Sequence, residues 1–220
     1  MNIEPLIVPL GPSRAEITVV NSRFIASLDY VGSVEEARAF VDRVRGEFQD
    51  ASHNVPAFIV GGGNSSTEFC SDDGEPSGTS GRPLLAVLRG SGLGNVAVVV
   101  TRYFGGTLLG TGGLVKAYSE AGRQVLGRTK RAALEKFTSL RFELPYAFFD
   151  RFRMGLSEFG ATIAADRFAE AVGLDVEVPS NEVVRFTSWL ADLSSGNVCP
   201  KVVAERMACR ALRDSGGHSR

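Results

Sequence analysis

The ten residues NVAVVVTRYF, from Asn95 to Phe104, limit the possible folds more than any other part of this chain. A nearly continuous run of β-branched and apolar residues has no polar face to give to water. The strand it forms must therefore be covered on both sides and lie centrally in its sheet. It leads directly into GGTLLGTGG, and then into Leu114, Ala117, Tyr118, Ala121 and Val125 at helical spacing. That spacing predicts a helix from Thr111 or Gly112 to about Gly127, with Gly127 as its stop. A glycine-rich turn between a central strand and a helix has two uses. It exposes the first amides of the helix to an anion, or it lets helix and sheet pack closely. Arg102, at the end of the strand, adds a guanidinium that suits a bidentate anion contact.

The flanking segments build a mixed α+β order. AEITVV and RFIASLDY read as two strands meeting at Asn21-Ser22. Ser33 and Glu36 form a capping box for a helix with Ala37, Phe40, Val41, Val44 and Phe48 on one face. VPAFIVG and TEFCSD read as paired strands, and SDDGEPSGTSGRP as a polar loop entering a short helix with Leu84, Leu85, Val87 and Leu88. Arg128 to Lys136 reads as a basic linker. After it come a strand (TSLRFELP), a helix (YAFFDRFRMGLSEFG), two strands (ATIAAD and FAEAVGLDVEVP), a helix (SNEVVRFTSWLADLSSG) and a strand (NVCPKVVAE). That β-α-β-β-α-β series is the ferredoxin-like pattern. The expected division is an N-terminal domain at 1–130, a ferredoxin-like domain at 131–210 and a disordered tail at 211–220.

Charge and composition narrow the function. The formal net charge is −1, so any contact with nucleic acid must come from a local patch. Arg123, Arg128, Lys130, Arg131, Lys136 and Arg141 are one candidate patch, although such clusters also serve to solvate a linker. Three cysteines without CxxC spacing suggest neither a disulfide framework nor a zinc site. Asp72, Asp73 and Glu75 lack the alternation of a calcium loop and precede Pro76, so no metal or cofactor is expected. His53 and His218 are the only histidines, no serine sits in a GxSxG elbow, and no nucleophile, base and oxyanion set assembles. No apolar run has the length of a membrane span, and the opening residues lack a secretion signal, which places the expected protein in the cytoplasm.

SDDGEPSGTSGRP followed by VVVTRYFGGTLLGTGGLVKAY, with SRFIA upstream, resembles the signature of the IMPACT family. With a ferredoxin-like domain behind it, the chain is similar to the bacterial YigZ type of that family, over nearly all of Ile17 to Glu205. The resemblance implies an N-terminal domain like the second domain of ribosomal protein S5 and a C-terminal domain like the fifth domain of elongation factor G. It also implies a nucleic-acid-binding or translation-linked role. The family surface maps onto Asp72, Asp73, Gly74, Glu75, Pro76, Gly78, Thr79 and Gly81 in the first motif. In the second it maps onto Arg102, Tyr103, Gly105, Gly106, Gly110, Gly112, Gly113 and Lys116. Where similar members read Arg-His-His, this chain has Ser52-His53-Asn54.

The expected function is non-catalytic binding of RNA or the ribosome in regulation of translation. Arg102, Lys116 and the amides following Thr111 would hold phosphates, and Tyr103 or Phe104 would stack a base. Two rivals stand beside it. One is a phosphate-ligand binder or small-molecule phosphotransfer enzyme using Asp72, Asp73 or Glu75. The other is a protein-interaction module acting through the 72–81 loop. The sequence sets no oligomeric state.

Overall fold

The run from Asn95 to Phe104 forms β6 (Val96–Tyr103), the middle strand of a five-stranded antiparallel sheet, in a computed structural model that describes residues 5–62 and 65–211. Its neighbours are β3 (Ser22–Tyr30) and β4 (His53–Gly62), with β2 (Ser13–Val19) and β5 (Ser65–Cys70) at the two edges; a short strand, β1 (Leu6–Pro9), precedes them in the chain and lies outside this sheet. The alternation of the run accounts for its composition. Val96, Val98 and Val100 pack into one core with α2 (Gly81–Gly90) and α3 (Gly110–Arg128). Ala97 and Val99 pack into a second core with Phe40, Val41 and Val44 of α1 (Val34–Glu47). Both faces of the strand are dry from Val96 to Val100, and that stretch carries no polar side chain.

The predicted capping box forms. Ser33 Oγ accepts from the Glu36 amide at 3.1 Å, and Glu36 Oε2 reaches back to the Gly32 amide at 2.7 Å, one residue before the cap.

The described residues divide into two units, one ending at Ala133 and resuming at Cys209, the other Leu134–Ala208. In the second, strands pair in the order β10 (Lys201–Ala211), β7 (Arg131–Leu144), β9 (Val172–Pro179), β8 (Thr162–Phe168), the 4-1-3-2 order of a ferredoxin-like sheet. Helices α4 (Tyr146–Gly155) and α5 (Val183–Leu193) supply Phe152, Phe186 and Leu190 to its core. The fold is α+β with a ferredoxin-like C-terminal domain, as expected.

Three local expectations differ. The segment read as a linker is the first part of β7: Arg131 and Lys136 lie on exposed positions while Ala132 and Ala133 are buried, so the basic residues decorate a strand. Helix α3 runs through Gly127 to Arg128 and is closed by Thr129, whose extended backbone and side-chain bond to the Val125 carbonyl end it without a glycine. β10 begins only after Pro200, because proline has no amide to give a sheet. The tail expected at 211–220 lies outside the described residues, apart from Ala211, which ends β10.

Candidate functional site

Sheet register builds the centre of the site. Arg102 on β6 lies directly opposite Phe24 on β3 and His53 on β4, so the three side chains stand in a row on one face of the sheet. That face carries α3, which brings Tyr118 over the row. The 72–81 loop brings Glu75. Arg102 Nη1 donates to Glu75 Oε1 at 2.7 Å, Tyr118 donates to the same oxygen at 2.8 Å, and Arg102 Nη2 donates to Ser22 Oγ at 3.2 Å. The guanidinium also lies 5.5 Å from the ring centroids of both Phe24 and Phe104. The two sequence motifs are thus tied together by one buried ion pair.

Arg102, expected to offer its guanidinium to an anion, does not face solvent. Its side chain is 6% exposed and that of Glu75 is 3% exposed. In so dry a place the carboxylate is its natural counter-charge, and an unpaired guanidinium would be untenable. Burial, with the Glu75 carboxylate next in weight, pushes the Tyr118 phenol far above its ordinary range, so it remains a neutral donor. His53 is oriented as well. Its Nδ1 lies 2.8 Å from the Asp73 carbonyl oxygen, which can only accept, so Nδ1 donates to it, and Nε2 lies 3.9 Å from Glu75 Oε1.

The acidic loop uses all three carboxylates internally. Asp72 Oδ1 accepts from the amides of Ser80 and Gly81 and from the Ser80 hydroxyl, while Oδ2 accepts from the Gly78 amide at 2.7 Å. Asp73 holds Arg45 at 2.6 Å and the Asn54 amide at 2.7 Å. Thr79 is buried and donates to the Pro76 carbonyl; Gly81 is buried, while Gly74 and Pro76 are exposed and Gly78 is half-buried.

Burial alone would raise the Asp72 pKa, but the donors from Gly78, Gly81 and Ser80 outweigh it and hold the carboxyl below its ordinary 3.8. A depressed folded-state pKa contributes stability that is fully present above the ordinary carboxylate range and is lost as pH falls through the folded value. Asp72→Asn is therefore expected to cost about 1–3 kcal/mol at neutral pH, the worth of hydrogen bonds to a charged acceptor. The gap from the parent should shrink below about pH 4. Urea melts across pH check both.

The glycine junction has two sides. Gly105 faces inward: a Cβ there would lie 1.8 Å from the Asn21 carbonyl oxygen. Gly110, with φ of 69°, lets the chain turn into α3. The first turn of α3 is open. No side chain caps it, and Gly110, Thr111 and Gly112 are exposed, as are Gly106 and Lys116, with Gly113 half-buried. Beside this turn Phe104 is 47% exposed and Leu108 87% exposed. Tyr103 is less available, since its hydroxyl donates to Asp50 at 2.8 Å and Arg23 lies over its ring.

Half of the basic patch is neutralised in place. Arg123 pairs with Glu120, Lys136 with Glu205 and Arg141 with Asp175, while Arg128 and Arg131 donate to the carbonyls of Arg14 and Ser91. Ser22, Tyr118 and the orientation of His53 escaped the sequence reading. Tyr118 had signalled itself only as a core residue on an apolar face, and the other two become visible only through strand register.

Residues 20–126 match the family described as Impact N-terminal domain, and residues 142–197 match a domain of unknown function, DUF1949. IMPACT family member YigZ of Escherichia coli (strain K12) is 38% identical over 197 residues, 89% of this chain and 97% of that protein. IMPACT family member YvyE of Bacillus subtilis (strain 168) is 32% identical, covering 82% of this chain and 83% of its own length. A crystal structure of a hypothetical protein superposes with a TM-score of 0.60 at 37% identity, covering 92% of this chain and 98% of that one.

Proposed function

The chain belongs to the IMPACT family, and from that premise we propose that it binds single-stranded or looped RNA without catalysing a reaction, as part of translational regulation in the cytoplasm. The observation that carries the reading is the open first turn of α3, exposed beside Phe104 and Lys116. Uncapped helix amides hold a phosphate, Lys116 a second charge, and the free face of Phe104 a base. Arg102 serves this surface from behind: its guanidinium lies against the Phe104 ring and its charge stays with Glu75. The link to translation and to the ribosome rests on the family resemblance.

The phosphotransfer alternative needs a carboxylate free to act as base or to hold magnesium. Asp72, Asp73 and Glu75 are each committed to internal donors, which favours the binding reading. The exposure of Leu108 favours a second reading, a protein partner on the same surface. Ribosome co-sedimentation with and without RNase separates the two.

Fluorescence anisotropy with labelled single-stranded RNA across a salt series tests the proposal. Engagement of about three phosphates gives a log–log slope near −2, at roughly 0.7 per phosphate. Lys116→Ala should weaken binding and flatten that slope by about 0.7. No retention of RNA at low salt, or a slope untouched by Lys116→Ala, sinks the reading.

A further inference from the structure

On the opposite face of the N-terminal sheet, α1 leaves part of β4 and the edge strand β5 uncovered, and a cleft of about 380 Å³ opens there. Its walls include Arg38, Asp42 and Arg45, which with Val41 fall at helical spacing on one side of α1. Its floor is Phe58 and Phe69, stacked with ring centroids 5.1 Å apart and planes 22° apart, and Ser71 lies at its end. Phe58 is buried; Phe69 is 46% exposed and offers ring surface to the opening. Arg45 is already paired with Asp73 of the signature loop. Among the described residues, Arg38 and Asp42 make no hydrogen bond or close ion pair, although the Arg38 charge is felt by Glu35 on the same helix.

The cleft on the other flank of α1 shows what a finished surface looks like. It is about 190 Å³, and its guanidiniums are occupied: Arg14 by Glu47 and Ser27, Arg43 by Asp29.

We propose that the cleft between α1 and β5 is a binding site for a ribonucleoside monophosphate, with the base on Phe69, the phosphate on Arg38, and Asp42 accepting from the base or ribose. Each component of such a ligand meets a matching group. An exposed aromatic ring on a buried one is a rigid stacking platform for any base. The Arg38 guanidinium binds phosphate oxygens with planar, forked geometry. The unpaired carboxylate accepts from base N–H groups or ribose hydroxyls. The volume falls in the range of small-molecule pockets. An extended peptide added to the edge of β5 would leave Asp42 and Arg38 unused, so the nucleotide fits better. The site lies on the far side of the sheet from the start of α3 and does not depend on the RNA surface proposed above.

The test is calorimetric or NMR titration of the full chain with guanosine monophosphate, guanosine and inorganic phosphate in parallel. Guanosine monophosphate is expected to bind saturably, and more tightly than either fragment. Phe69→Ala removes a surface ring and should weaken binding about tenfold or more. Arg38→Ala should weaken the nucleotide but leave guanosine unchanged. Lys116→Ala, on the other face, should leave the binding that depends on Phe69 and Arg38 unchanged, so failure of the RNA proposal and failure of this one are distinguishable. Absence of saturable nucleotide binding at millimolar concentration, or binding indifferent to both Phe69→Ala and Arg38→Ala, overturns the inference.

Discussion

Glu75→Gln is expected to destabilise the N-terminal domain by about 3–5 kcal/mol, the usual cost of removing one partner from a buried ion pair. The substitution keeps the shape of the side chain and leaves an oxygen for Arg102 and Tyr118 to donate to. What it removes is the charge. Arg102 then holds an uncompensated guanidinium, with its side chain 6% exposed and its Nε already without a partner among the described residues. At about 3–5 °C per kcal/mol for a domain of this size, the melting temperature should fall by on the order of 10–20 °C. Arg102→Met should also be costly alone, since it strands the Glu75 carboxylate. The double substitution should cost clearly less than the two singles added, because it removes both charges together. Strict additivity in that cycle would show that the pair is not coupled and that the two motifs are not joined through it. RNA affinity adds a second readout. If Arg102 acts only as framework, the folded fraction of Arg102→Met should keep the parent's salt slope, whereas a direct phosphate contact would flatten it.

What the sequence revealed and what it hid follow from how local each signal is. The central strand, the capping box and the ferredoxin-like order were legible because each rests on periodicity within one segment. The role of Arg102 was not, because it depends on two facts that no window contains. Cross-strand register sets it between Phe24 and His53, and a loop 27 residues upstream returns to deliver Glu75. The three loop carboxylates read as available for the same reason, since their partners are amides and arginines that meet them only in the fold. The linker was misread because the basic residues between Arg128 and Lys136 outweighed Ala132 and Ala133, whose burial within β7 only the fold reveals. The cleft beside β5 was invisible: Arg38, Asp42 and Phe69 come from two segments, and none of them belongs to a motif.

Within the glycine motif, Gly105→Ala and Gly112→Ala should act in opposite directions. At Gly105 a methyl carbon would sit 1.8 Å from the Asn21 oxygen and 2.1 Å from its carbonyl carbon, both backbone atoms that no rotamer change can clear. Asn21 cannot retreat easily. It lies in the turn between β2 and β3, whose register runs unbroken from Ser13 opposite Leu28 to Val19 opposite Ser22, and its side chain is tied to Thr107 at 3.3 Å. The loop after Phe104 must therefore move, taking the ring off Arg102. A loss of about 2–3 kcal/mol is expected, at the upper end of the overpacking range. Gly112 has open space around it and lies on the exposed first turn of α3, so alanine there should gain up to about 1 kcal/mol from helix propensity. Thermal melts of the two variants decide the stability half: a Gly105→Ala protein as stable as the parent would mean that strand turn and loop do not approach so closely. RNA binding decides the rest. Gly112→Ala folds at least as well as the parent, so any loss of affinity it shows reports a ligand that needs the bare backbone of the helix start, whereas unchanged affinity would leave Phe104 and Lys116 to carry the surface without it.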